Sequence, residues 1–71
     1  MTKNQKEYKQ TVIKEIQRRY KVDWITASKM LALTNIDDSL SDYPEETMHD
    51  DVTEWVIMAH ELWLKKQYPF L

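Results

Sequence analysis

The 71-residue chain contains no cysteine and no glycine, and only two prolines. Without cysteine there is no disulfide framework, no thiolate zinc ribbon and no thiol nucleophile. Without glycine, the phosphate-cradling loops of P-loop and dinucleotide-binding proteins are excluded, because they need backbone free of Cβ. Tight two-residue hairpins lose their usual residues as well, since those turns require positive φ. Long apolar runs are also missing. The longest is Trp55-Val56-Ile57-Met58-Ala59, far below the roughly 20 residues that span a bilayer. The polar stretch Met1 to Glu7 has no apolar core behind it and does not read as a secretory signal. The expectation is a soluble, cytoplasmic protein without membrane attachment.

What is present suits one small folded domain. Hydrophobic residues make up 42% of the chain and the net charge is only −2, a balance that opposes wholesale disorder. Tyr8, Val12, Ile13, Ile16 and Tyr20 recur at i, i+4, i+5, i+8 and i+12, the helical period, and predict a helix over 5–21 that Asn4 and Glu7 could close. Asp23 is a natural cap for a second helix over 24–34, and Asn35 is the residue best suited to a left-handed position at its end. Trp24, Ala27, Ser28 and Leu31 share one face, so Trp24 is expected to anchor the core beside small residues that allow close helix approach. Ile36, Leu40 and Tyr43 predict a short helix over 36–42, after which Pro44 interrupts or restarts the chain, with Glu45 and Glu46 suited to a helix first turn. Thr47 to Asp50 matches a capping box for a last helix over 48–67, and Asp50 and Asp51 are also well placed near its positive end. Its start is open between residues 44 and 51. Lys65 and Lys66 suit that helix's final turn, and Pro69 ends it before an apolar tail, 68–71. No segment reads as a strand. The expected fold is all-α, a bundle of three main helices and one short one, with Trp24, Trp55 and Trp63 in its core.

Charge is laid out in blocks. Residues 1–34 hold eight Lys/Arg against three acids, whereas residues 35–54 hold eight acids and no base. Solvated helix faces explain much of this, since exposed pairs contribute only about 0–1 kcal/mol each. Two functional readings remain. Asp37, Asp38, Asp42, Glu45, Glu46, Asp50 and Asp51 form a candidate docking segment for a basic partner or, at the extreme, an imitation of a nucleic-acid backbone. Lys14, Arg18 and Lys21 on the first helix are candidate phosphate contacts. The net acidity counts against nucleic-acid binding. A helix-turn-helix fits poorly too, because the segment after Asn35 presents Asp37, Asp38 and Asp42 where Arg, Lys, Asn or Gln should meet the groove.

The last helix carries a second signal. Val52, Trp55, Val56, Ala59, Leu62 and Trp63 make an ordinary core face. Ile57, Leu64 and Tyr68 lie roughly opposite, flanked by Met58 and His60. So short a chain has little left with which to cover a second apolar face. Ile57, His60, Leu64 and Tyr68 are therefore the candidate protein interface, most simply of a two-fold homodimer. Burial within the chain, under Phe70 and Leu71 or the N-terminus, is the competing reading.

Catalytic signatures are lacking. His60-Glu61-Leu62-Trp63-Leu64 opens like the HExxH of zinc proteases, but leucine replaces the second histidine. His49 stands beside Asp50 and Asp51 without a defined ligand geometry. The aromatic residues fall at helical spacing, where a core role outweighs stacking on bases. The expectation is no enzyme, no cofactor, no metal and no small-molecule substrate.

One resemblance adds to this reading. Ile16-Gln17-Arg18-Arg19-Tyr20-Lys21-Val22-Asp23-Trp24, Ala27 to Leu31, Tyr43-Pro44-Glu45-Glu46-Thr47-Met48-His49 and Trp55 form a loose pattern over residues 12–57. It is similar to short all-helical proteins of Gram-positive bacteria and their mobile elements, a group with no agreed activity. The resemblance implies a bacterial or phage accessory protein that acts by binding, and assigns no role to individual residues.

Overall fold

The computed structural model describes residues 1–68. Five helices form a small all-α globule: α1 (Lys3–Tyr20), α2 (Trp24–Ala32), α3 (Ile36–Asp42), α4 (Pro44–His49) and α5 (Val52–Gln67). Helices α1, α2 and α5 pack on one another, while α3 and α4 pair with each other and close one end against α1. No strand occurs among the described residues.

The first helix starts earlier than the Asn4–Glu7 pairing predicts. Thr2 is the cap: its hydroxyl accepts from the Gln5 N–H at 3.2 Å, and the Gln5 side-chain oxygen accepts from the Thr2 N–H at 3.0 Å. The other end of the Gln5 amide donates to the Leu40 carbonyl at 3.0 Å. One side chain thus closes α1 and ties it to α3, a double satisfaction that Glu7 cannot offer. At its far end α1 stops at Lys21, whose φ of 56° is the only positive value among the described residues. The left-handed position therefore falls on Lys21 and not on Asn35, which has φ −95° and sits just before α3.

Asp23 caps α2 as expected, accepting from the Thr26 N–H at 2.7 Å. The helix ends at Ala32, two residues short of the predicted boundary. There the Thr34 hydroxyl donates to the Leu31 carbonyl and accepts from the Ile36 N–H, so it bridges α2 to α3 in place of further helix. The short helix 36–42 has its predicted limits. Beyond it the predicted helix 48–67 divides. Pro44 opens α4, where its missing N–H costs nothing. Thr47 is not a cap; it is buried in α4, with its hydroxyl donating to the Ser39 carbonyl of α3 at 3.1 Å. The cap of α5 is Asp51, which accepts from the Thr53 N–H at 2.9 Å.

The core is built from Val12, Ile13 and Ile16 of α1, Ala27, Met30 and Leu31 of α2, Ile36 and Leu40 of α3, and Trp55, Val56 and Ala59 of α5. Trp55 takes the predicted place, and Trp63 packs half-buried against this group. Trp24 does not anchor the core, being 43% exposed. Helical side chains lean toward the N-terminus. As the first residue of α2, Trp24 has no preceding turn to lie on and projects past the helix end, although its angular position matches that of Leu31.

Both aspartate caps make stability depend on acid. Hydrogen bonds from Thr26 hold the Asp23 carboxyl below its ordinary value, and the Thr53 backbone N–H does the same for Asp51. A carboxylate whose folded value is depressed stabilises the fold above its unfolded value, near about pH 4, and loses that contribution as pH falls through the folded value. Thermal unfolding followed by circular dichroism should show the melting temperature falling below about pH 4. Asp23→Asn, which can still cap but cannot titrate, should flatten that decline.

Candidate interaction surfaces

Two contacts orient α5 against α1. The Tyr8 hydroxyl donates to the Asp50 carbonyl at 3.0 Å, just before α5 begins. Tyr20, the last residue of α1, stacks on His60 in the middle of α5, with ring centroids 3.9 Å apart and planes within 10°. The two helices therefore run parallel, and the last two turns of α5 continue past the end of α1. That overhang explains why Leu62 and Trp63, on the core face by helical period, are only half-buried.

The outer face of α5 carries the predicted apolar residues. Ile57, Leu64 and Tyr68 are 39%, 42% and 57% exposed, and Met58 beside them is 39% exposed. At 100° per residue, Glu54, Glu61 and Lys65 border this stripe on one side and Thr53 and His60 on the other. His60 is the exception among the four candidates. It is half-buried, and its ring is occupied by Tyr20, so it edges the stripe and fastens α5 to α1. Beyond His60 a groove of ≈ 360 Å³ lies between Tyr20, Val22, Trp63 and Leu64. The Lys66 ammonium sits 5.9 Å from the Trp63 ring centroid at this end. Of the apolar tail, 68–71, only Tyr68 is among the described residues, so the competing reading, burial of the stripe under Phe70 and Leu71, falls outside them.

All seven acids of the candidate docking segment are exposed. Asp37 is already paired, 2.8 Å from the Lys9 ammonium, and Asp51 is engaged as a helix cap. Of the others, Asp42, Glu45 and Glu46 flank Tyr43, which is 61% exposed. Because α3 docks on the first turns of α1 through Gln5 and Lys9, and Asp50 meets Tyr8, these acids gather at one end of the bundle. The parallel course of α1 and α5 brings Arg18, Arg19, Lys21, Lys65 and Lys66 to the opposite end.

The three candidate phosphate contacts, Lys14, Arg18 and Lys21, are exposed but do not form a set. Arg18 is hydrogen-bonded and ion-paired to Glu15 one turn earlier. That pairing raises the guanidinium value and lowers the Glu15 carboxyl below its ordinary one. Lys21 lies beyond the helix, at the left-handed turn. His49 is exposed beside Met48 and Glu45. Among the described residues no cluster of three or more His, Asp or Glu side chains is arranged to hold a metal ion, and no helix is long and apolar enough to cross a membrane.

Burial and desolvation raise the Tyr8 phenol above its ordinary value, with Asp50 adding to the effect. Its role is architectural, as the link that fixes where α5 starts. Sequence reasoning missed the exposure of Trp24 and of Ile25, which is 65% exposed. Ile25 lies off the Ala27–Leu31 face on a helical wheel, so the signal for its exposure was there. Compared with known protein families, curated proteins and solved structures, the chain matches none.

Proposed function

We propose that this chain is a non-enzymatic interaction module, an accessory or regulatory protein that works as a homodimer through the outer face of α5. The exposed stripe Ile57, Leu64 and Tyr68 carries the reading. Scattered apolar residues on a surface need no explanation, but a row along one helix is what an interface core looks like. A stable dimer buries about 800 Å² per partner, against an accessible surface of 5141 Å² here. The contact must therefore run the length of α5 and take in its charged borders. Small domains gain stability this way, since their own cores are limited. The reading carries a cytoplasmic location with it, and an origin in a bacterium or phage follows from the resemblance noted above. Nucleic-acid binding by Lys14, Arg18 and Lys21 has less support, because Glu15 already holds Arg18.

Leu64→Glu tests the proposal. Leu64 is 42% exposed, so the substitution leaves the fold in place, which circular dichroism verifies. In a dimer it desolvates two carboxylates, and loss of one central contact, at about 2 kcal/mol, weakens association at least about 30-fold. Sedimentation equilibrium should show a wild-type dimer and a monomeric variant. A folded monomer in both cases would overturn the reading.

A further inference from the structure

Resting on that dimer, a second inference concerns how the two copies lie. Asp50, Asp51 and Glu54 crowd the start of α5, and Lys65 and Lys66 its end. The rest of the molecule repeats this polarity. Helices α3 and α4 add Asp38, Asp42, Glu45 and Glu46 to the acidic end, with Lys3 and Lys6 tempering them and Lys9 already paired to Asp37. Helix α1 adds Arg19 and Lys21 to the basic end, besides the Arg18 that Glu15 neutralises. The near-neutral chain is a body with two ends of opposite sign.

We infer that the partner on the α5 face is a second copy laid antiparallel, related by a two-fold axis passing near His60 and Glu61. With the axis there, Ile57 of each copy faces Leu64 of the other, and the apolar row is continuous across the contact. A symmetric antiparallel pair sets the same border of both helices against itself, running in opposite directions. The border that carries Glu54, Glu61 and Lys65 then brings Glu54 of one copy against Lys65 of the other, at both ends. The basic end of each body comes to rest beside the acidic end of its mate. Parallel packing does the reverse. It gathers Asp50, Asp51 and Glu54 of both copies at one end, Lys65 and Lys66 at the other, and aligns the two helix dipoles. Packed helices lie about 8–10 Å apart, close to the screening length of about 8 Å at physiological salt, so the repulsion is only partly screened.

The antiparallel arrangement makes one unfavourable contact, and that contact is diagnostic. Glu61 sits near the axis and faces its own copy. In parallel packing it would instead face the border that carries His60.

Because the chain has no cysteine, one introduced thiol places a spin label at a single site per copy. Asp50→Cys serves, since Asp50 is exposed and the bonds it makes, to Tyr8 and Thr47, use its backbone. The residue lies about ten positions from the axis on each copy, so electron–electron distances of about 30 Å are expected at 1.5 Å per residue. A distance of about 10–15 Å, the side-by-side helix spacing plus the label, would mean parallel packing and overturn the inference while leaving the dimer standing. Absence of dipolar coupling in a protein that sediments as a monomer overturns both. As an independent measurement, Glu61→Gln should tighten the dimer about 3- to 10-fold by sedimentation, and raised salt should loosen it. An unchanged or weaker dimer with Glu61→Gln counts against the antiparallel pair.

Discussion

Leu31→Ala should lower the free energy of unfolding by about 2–5 kcal/mol, whereas Trp24→Ala, on the same face of the same helix, should cost less, about 1–2 kcal/mol. Leu31 is fully enclosed, among core residues contributed by α1, α3 and α5. Truncating it removes the transfer energy of its methyl groups and leaves a cavity that a well-packed surround closes only in part. Trp24 is larger and, judged by residue type alone, the more valuable of the two. Its 43% exposure decides otherwise, because nearly half of what truncation removes was still in contact with water, whereas Leu31 loses a fully enclosed side chain. Domains of this size have total stabilities at the lower end of about 5–15 kcal/mol, so Leu31→Ala should leave a substantial unfolded population at 37 °C. Urea denaturation of the two variants makes the comparison, with unchanged m-values showing that the unfolded state is not the source. A Trp24→Ala cost equal to that of Leu31→Ala would show Trp24 to be covered.

The contrast between these residues also shows where the sequence could be read and where it could not. Helical period located all the main helices and sorted Val12, Ile13, Ile16, Leu31, Trp55, Val56 and Ala59 to the inside, because burial follows angular position wherever a helix is flanked along its length. At a helix end that link fails. Trp24 has the right angle, but no preceding turn lies beneath it. Capping signals misled for a different reason. Thr2–Gln5, Asn4–Glu7 and Thr47–Asp50 all have the spacing of a cap, and local sequence cannot rank them. The choice is made by partners distant in the chain: Leu40 takes the free end of the Gln5 amide, and Ser39 takes the Thr47 hydroxyl. With Thr47 so engaged and buried, α5 begins at Asp51, and the single predicted helix becomes α4 and α5. The absence of glycine was informative in the same partial way. It showed that any left-handed position must fall on another residue, but not that Lys21 would take it.

The candidate site was legible to a similar depth. Spacing alone put Ile57, Leu64 and Tyr68 on one stripe, and all three are exposed in the structure. Spacing also put His60 on the edge of that stripe, where its partner was invisible, since stacking on Tyr20 depends on the parallel course of α1 and α5. The charge blocks were plain in the chain. Their meaning as two ends of one body was not, because the sequence does not say that α3 and α4 fold back onto the first turns of α1 while α5 runs alongside it. Once it does, the +5 and −8 of residues 1–34 and 35–54 are not two separate faces, because Lys9 is drawn to the acidic end and Lys65 and Lys66 join the basic one.

Ala59→Leu should destabilise the protein by about 1–3 kcal/mol without altering the dimer contact of the molecules that remain folded. Ala59 lies on the inner side of α5 and Ala27 on the inner side of α2, and both are wholly inaccessible to solvent. Helices α1, α2 and α5 all pack on one another, and small residues at such a crossing set how near the helix axes come. A leucine at position 59 adds three carbon atoms to a side chain that is wholly inaccessible to solvent. The helices must separate or neighbouring side chains must leave their rotamers, and either response strains packing that is as dense as an organic crystal. The effect has a direct control in Ala32, at the exposed end of α2. There the same substitution meets solvent and should change stability by less than about 0.5 kcal/mol, as surface replacements usually do. Thermal melts of the two variants separate overpacking from any general penalty of leucine for alanine in a helix, which is small. Equal effects at positions 59 and 32 would refute a tight crossing. Because Ala59 points away from the Ile57–Leu64–Tyr68 stripe, sedimentation of Ala59→Leu at a temperature where it is folded should still give the wild-type dimer, whereas Leu64→Glu should lose the dimer and keep the monomer's own fold, giving up only the stability that association adds. The core and the proposed interface thus lie on opposite faces of the same helix, so Ala59→Leu should act first on packing and Leu64→Glu first on association.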